Sequence, residues 1–504
     1  MNSKGKGRWR TPLILTLLLA AAIAIVYAIG VPLRAAVVMM GGALLIVLLM
    51  LWFLFRAPLD KKVRRIAALA FLGLLGALAF SVRMEGSMDG TSMPNLVWKW
   101  SPKKGQGIEA LPTSVKAVTT STAEPHRDVT QFLGDDARSG VFPAIELGDG
   151  EAKEVWRIPM GLGWAGFSVA GDRALTLEQR EDEELLSCYD LGTGAFLWAH
   201  RNKTRFSESL GGDGPRSTPT IDKEAGLVYS MGATGALDCV KLESGELVWT
   251  RNVLDDANSD WPTYGKACSP LLVGDLVVVS GGTKGPTLHT YQRSDGTPGW
   301  TAGKSGSSYS SPALLEVNGV MQIVSINSDD VTGHDPASGE VQWLYPWKAN
   351  WPKSAQPRSV GEGRILLTAS YGMGTHLIQV KGSEVEELWR TIRMKTKFSS
   401  VCVKDGYAYG LDEGVFSCIE IETGDRIWKD GRYGFGQNLL AGDTLIVQAE
   451  QGEIVLVEAT PEEHREIRQF EALRSKTWNT PTLAAPYLLV RNDTEAVCLL
   501  LPTP

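Results

Sequence analysis

Hydrophobic and polar positions change their rhythm twice along this chain. Residues 11–29 form an apolar run without a charge, Pro32-Leu33-Arg34 breaks it, and a second run follows over 35–55. A basic stretch over 56–65 leads to a third, shorter apolar run over 66–82. The first two are long enough to cross a bilayer as helices and the third is marginal, so the pattern predicts three transmembrane helices within a membrane anchor spanning 1–83. Residues 84–128 are poor in apolar positions and rich in Ser, Thr, Lys, Pro and Gly, as in Ser101-Pro102-Lys103-Lys104-Gly105 and Thr119-Thr120-Ser121-Thr122. That composition predicts a flexible tether.

From residue 129 to 504 the pattern is one of short alternating runs rich in Val, Ile, Leu and Tyr, separated by Gly-containing turns. The unit is Tyr189-Asp190-Leu191-Gly192-Thr193-Gly194-Ala195-Phe196-Leu197-Trp198, a strand, a tight turn and a strand carrying Trp. Copies lead to Trp249, Trp300, Trp343 and Trp428, with weaker ones before Trp156 and Trp389 and an eighth before Phe470. These anchors are spaced by 42, 51, 51, 43, 46, 39 and 42 residues. Four strands per unit of this length predict propeller blades. First strands are expected near Ala165, Arg216, Lys266, Tyr309, Gln356, Phe398, Gly436 and Trp478, which makes eight blades. The N-terminal copy supplies only 155–159, while the C-terminal one supplies 480–483, 487–490 and 496–501. One strand from one end and three from the other complete the eighth blade, which removes open sheet edges. The repeated Trp is expected to pack between neighbouring blades rather than to form a ligand box.

Charge refines this organisation. Residues 1–65 hold ten basic side chains against Asp60 alone, so the remainder is about −16 in a chain of net charge −7. An acidic main domain argues against nucleic acid as a partner. Basic residues at 4–10 and 56–65 favour the cytoplasm, which places the N-terminus inside and everything after Arg83 outside. A cleavable leader over 1–30 is the alternative for the first run, and a cytoplasmic main domain follows if the third run is not a span. The apolar runs carry no acid or His, so they read as an anchor and not as a proton or solute path. Cys188, Cys239 and Cys418 occupy one repeat position in different units, too far apart for disulfides, and with Cys498 read as small buried apolar side chains.

The repeated Asp-x-x-Thr-Gly-x-x-x-Trp resembles the tryptophan-docking motif of propellers related to pyrroloquinoline-quinone (PQQ) enzymes, a family that includes quinoprotein dehydrogenases and the propeller lipoprotein of outer-membrane barrel assembly. Gln131-Phe132-Leu133-Gly134, Gly214-Pro215-Arg216-Ser217-Thr218-Pro219-Thr220, Phe398-Ser399-Ser400 and Lys476-Thr477-Trp478 are similar to bacterial PQQ-like repeat proteins, mostly extracytoplasmic. For a dehydrogenase the resemblance implies PQQ over the channel with Ca²⁺, an Asp base and usually an adjacent-cysteine disulfide. This chain has no Cys-Cys pair and no long inter-blade insertions. No His cluster, Ser-His-Asp spacing, phosphate loop or paired-carboxylate motif stands out, and Glu181-Asp182-Glu183-Glu184 reads as a solvated hairpin tip.

Loops over 205–216, 255–266, 345–358 and 431–437 are expected on one face. The candidate binding surface is Arg216, Trp261, Lys266, Tyr309, Trp347, Arg358, Phe398 and Trp478, aromatic and cationic types that dominate binding hot spots. The reading is a membrane-anchored, non-catalytic scaffold at the bacterial inner membrane, without a cofactor, binding an envelope protein or polymer. A PQQ- and calcium-dependent dehydrogenase of alcohols or sugars is the alternative. A sensor coupled to the spans is a third.

Overall fold

The computed structural model describes residues 10–29, 34–57, 59–105, 111 and 123–502. The basic N-terminus, the 30–33 break and the Thr119–Thr122 run lie outside the described residues. The chain divides into two compact units, one of Met1–Lys103 with Ser209–Gly212, the other of Lys104–Glu208 with Asp213–Pro504.

The first unit holds α1 (Arg10–Ile29), α2 (Arg34–Arg56) and α3 (Lys61–Ser81). Two segments, Val37–Arg56 and Lys61–Ser81, are long and apolar enough to cross a bilayer, while the helix α1 contributes the shorter apolar stretch Pro12–Ile25. Among the described residues two candidate spans are therefore shown and a third is not, and α3, expected as marginal, is long enough. The reason lies at Asp60, whose side chain caps α3 by accepting from the Lys62 amide. The helix therefore starts five residues before the apolar run, with Lys61, Lys62, Arg64 and Arg65 in its first turns. The segment expected as a tether opens with a hairpin, Val82–Ser87 paired with Pro94–Trp98.

In the second unit eight sheets follow one another as blades, each of four antiparallel strands. Inner strands begin at Ser168, Thr220, Leu271, Ala313, Arg358, Cys402, Gln437 and Thr482, one to five residues after the expected starts. Blade 8 is completed as expected, with Lys153–Pro159 of the N-terminal side pairing Glu495–Leu500 near the C-terminus. Thr and Ser side chains link successive inner strands around the channel: Thr218 Oγ1 accepts from Gly166 N, Ser269 Oγ from Thr218 N and Ser311 Oγ from Ser269 N.

The Trp positions show why the motif spaces as it does. Trp156, Trp198, Trp249, Trp389 and Trp428 each donate their indole N–H to a carbonyl of the next blade's turn region, at 2.7 to 3.1 Å. The turn glycine must stay bare: a Cβ on Gly245 would lie 2.3 Å from the Trp198 ring. Opposite these rings on the neighbouring strand stand Cys188, Cys239, Cys418 and Cys498, small enough to leave room. All six cysteines are free and buried.

Two anchors differ from expectation. Trp343 stands opposite Gly333 rather than a side chain, so it lies down on its own blade and donates to Gln322 Oε1 at 2.6 Å. In blade 7 the register puts Arg468, not Phe470, at the docking position, beside the same bulge that accompanies the Trp of other blades. Arg468 donates to the Gly148 carbonyl at 3.1 Å and to Gly150, so a guanidinium replaces an indole on the next turn.

A second departure is the path of residues 127–142. Arg127 N donates to Ala485 O, Val129 bridges Val169, Ile221 N donates to Thr130 O, and Leu314 N to Asp136 O. Val141–Phe142 then adds a parallel fifth strand to blade 7. This segment crosses the exits of the inner strands and closes one end of the channel. The buried Arg138 guanidinium tightens it, donating to the carbonyls of Phe132, Ser269, Pro270 and Pro312.

Candidate functional site

The opposite end of the channel is its mouth. The residue four places before the inner strand is Trp164, Arg216, Tyr309, Phe398 and Trp478 in blades 1, 2, 4, 6 and 8. These side chains come from equivalent positions of a ring and therefore converge.

On one side Trp478 packs on Trp164 at 5.0 Å and on Phe398 at 4.7 Å, and Phe398 meets Phe435 at 6.5 Å. Two ammonium groups lie over these faces: Lys476 at 4.0 Å from Trp478, and Lys397 at 5.0 Å from Phe435 and 4.7 Å from Tyr371. Such cation–π contacts hold charge against an apolar floor. Glu450 is buried beneath, accepting from Trp478 Nε1 at 2.7 Å and from Phe435 N at 3.1 Å. Gln437 ties the two blades by donating to the carbonyls of Phe398 and Trp478. Phe398 adopts φ of 68°, a strained value for an aromatic residue at a loop turn.

On the other side Arg216 lies over Phe206 at 5.1 Å and donates to Gly214 O. Burial pulls its pKa down to about 10, with Glu208, Tyr309, Asp213 and Glu184 facing it. Tyr309 packs on Tyr264 at 5.7 Å and its hydroxyl accepts from Tyr264 N. Trp261 is exposed against Phe206 at 6.3 Å. Glu184 is buried, with one oxygen accepting from Ala233 N at 3.1 Å, and burial raises its pKa to about 7.

The remaining candidates stand elsewhere. Lys266 is buried, holding Ser280 Oγ and the Gly281 carbonyl, and burial lowers its pKa to about 8. Trp347 is buried against His376 at 5.5 Å, beneath the Lys353 ammonium. Arg358 faces the closed end of the channel, donating to Val401 O at 2.7 Å and to Arg138 O. A loop cation at an inner-strand start can point either way along the channel axis, and only the fold decides. Trp164, Phe435, Lys397, Lys476 and Glu450 were missed. Trp164 shares the offset of Arg216 and Trp478 and was findable on that signal, whereas Glu450 sits on a different strand pair.

A PQQ–calcium group needs several oxygen ligands converging with a base beside them. Among the described residues no group of three or more His, Cys, Asp or Glu side chains converges to hold a metal. The mouth carboxylates Glu450 and Glu184 are turned to backbone amides and an indole. The donor set does not fit that group.

Comparison with known proteins agrees with the geometry. The chain is similar in structure to BamB from Moraxella catarrhalis, at 14% identity and TM-score 0.50, covering 69% of this chain and 98% of that one. It is also similar to the quinohemoprotein alcohol dehydrogenase of Comamonas testosteroni, at 10% identity and TM-score 0.57, covering 75% and 81%. A europium-containing methanol dehydrogenase gives 11% identity and TM-score 0.54, covering 73% and 90%. At such identities the likeness is one of fold. No curated protein matches the sequence. The sequence model of the family described as "Outer membrane protein assembly factor BamB" matches residues 181–430 and 327–461, which together span more than half of the chain. An eight-bladed ring with docked indoles and this match lead to one conclusion: the chain belongs to that PQQ-like propeller family.

Proposed function

We propose that this protein is a non-catalytic binding scaffold of the cell envelope, held at the inner membrane by its N-terminal helices. The observation that carries the reading is the mouth, where Trp164, Phe398, Phe435 and Trp478 pack under two ammonium groups. Rigid aromatic and cationic side chains on a preformed rim supply affinity at little entropic cost. The family description points to a protein partner in envelope assembly, and an envelope polymer is the other class with a suitable surface. The basic residues of 56–65, at the end of α2 and in the first turns of α3, favour the cytoplasm, which puts the propeller outside whether or not α1 also spans.

The test uses the full chain as bait on cross-linked envelope extract. One defined partner is expected, and Arg216→Ala with Trp478→Ala should weaken its capture by more than about tenfold, as for paired hot spots. Absence of any enriched partner would overturn the scaffold reading. So would dye-linked oxidation of alcohols or sugars after reconstitution with PQQ and Ca²⁺.

A further inference from the structure

The hairpin that follows α3 alternates with period two. Val82 pairs with Trp98 and Met84 with Leu96 on one face, while Arg83 pairs with Val97 on the other. The apolar face is open: Leu96 is 58% exposed, Trp98 46% and Trp100 71%. Trp100 stacks on Trp98 at 5.1 Å with planes 8° apart, which extends that face as one flat aromatic surface. Met88 at the tip is also exposed. Ser87 Oγ at the tip donates to the Leu210 carbonyl, but the apolar face itself is bare, and a two-stranded hairpin with such a face is marginal in water and needs a surface to cover it.

Its height relative to α3 is set by hydrogen bonds. Lys99 N donates to Ser81 O, the last residue of α3, so the ladder runs from hairpin into helix end. The Arg83 guanidinium donates to the carbonyls of Trp98, Lys99, Ser101 and Pro102, which fixes the return strand at that level. Lys99 reaches back over the ring of Phe80, on the last turn of α3, at 4.5 Å. Trp98 and Trp100 therefore stand where the apolar helix ends, beside Arg83 and Lys99. Trp at headgroup depth with cations beside it is the composition of the membrane–water interface.

We propose that the Val82–Trp98 hairpin with Trp100 lies in the headgroup region of the bilayer and docks the exit of α3 onto the lipid surface. This rests on the membrane-anchor reading above. The occupant of the apolar face is lipid, because that face is continuous with the end of a helix whose own side chains are bare along its length.

The test is a nitroxide at Leu96→Cys in the full chain, reconstituted in phosphatidylcholine–phosphatidylglycerol vesicles; the native cysteines are buried and stay unlabelled. Collision with oxygen against a water-soluble nickel chelate reads depth. The label should report interfacial depth, and Trp98→Ser with Trp100→Ser should raise its nickel accessibility at least threefold. Carbonate-resistant membrane association should be unchanged by the pair. A label as water-accessible as one at Val320→Cys on the propeller, with the chain still carbonate-resistant, overturns the hairpin's role alone. Release by carbonate of the unsubstituted chain overturns the anchor reading and this inference with it.

Discussion

Glu178 sits where blade 1 receives blade 8 and is fully buried. Its carboxylate accepts from Gly161 N and Ser187 Oγ at 2.6 Å, Tyr189 Oη at 2.7 Å and Arg180 Nε at 2.9 Å. Burial pushes its pKa up, but Arg180, the two hydroxyls and Arg491 outweigh this and hold it below the ordinary carboxylate value. Glu178→Ala should cost about 3–5 kcal/mol in denaturant unfolding, since two buried guanidinium groups lose their counter-charge. With the folded pKa depressed, this stabilisation is complete above the unfolded value of about 4.3 and is lost as pH falls through the lower folded one. Glu178→Gln should accordingly flatten the acid limb of a Tm–pH curve. Lys353 gives the same sign of slope at the alkaline end, there because burial disfavours its charged form. Its ammonium is buried among the carbonyls of Asn327, Ser328 and Trp347, and burial lowers its pKa to about 8. Lys266 is lowered similarly. Between about 8 and the unfolded value of about 10.4 the unfolded chain binds more protons, so stability should rise with pH across that window. Lys353→Met should reduce that slope in thermal melts.

At the level of the blade, the Gly-turn-Trp motif is a contact between neighbours and not within one unit. Gly245 has φ of 71° and carries the Trp198 ring, whereas Gly382, φ of 63°, has nothing within 4 Å of an added Cβ. Both substitutions to Ala incur left-handed strain of about 1–2 kcal/mol, but only Gly245→Ala also collides with an indole. Gly245→Ala should therefore lower the unfolding free energy by at least about 1 kcal/mol more than Gly382→Ala, measured in urea. The strand starts of most blades were legible from alternation to within a few residues, as in blade 2, expected near Arg216 and found at Thr220–Asp222. Arg468 was not, because the connection over 459–465 is longer than the Gly turn from which the Trp of other blades is counted. The length of α3 was not legible from hydropathy either, since a single capping carboxylate at Asp60 lengthens a helix that hydropathy alone makes short.

Across the whole molecule, closure and the channel plug dominate. The pairing of Lys153–Pro159 with Glu495–Leu500 joins the two ends of the propeller in one sheet. Arg138 joins the plug to inner strands of blades 3 and 4 through backbone carbonyls, and its own carbonyl takes Arg358 of blade 5. Removing one buried, charged donor set of this kind costs about 1.5–3 kcal/mol per lost bond before relaxation. Arg138→Ala should accelerate amide exchange over 129–142 and in the inner strands of blades 3 and 4 by at least tenfold. Exchange in the outer strands should stay unchanged, because no Arg138 contact reaches them. Equal acceleration in all strands of a blade would show that the plug holds the entire ring instead.

The repeat was determined by the sequence itself: blade number, strand count, the shared eighth blade and the buried cysteines follow from alternation, turn glycines and a Trp spacing near one blade length. These are local signals, repeated, and repetition makes them readable. The mouth was half legible. Arg216, Tyr309, Phe398 and Trp478 share one offset from an inner strand, so the ring's symmetry carries them together. Tertiary structure alone decided that Arg358 turns to the closed end and that Lys266 and Trp347 are sealed in, because a side chain's direction along the channel depends on its neighbours. It alone decided that residues 127–142 cross the channel exit. That segment bonds partners as distant in sequence as Leu440 and Ala485, and no periodicity within it encodes those partners.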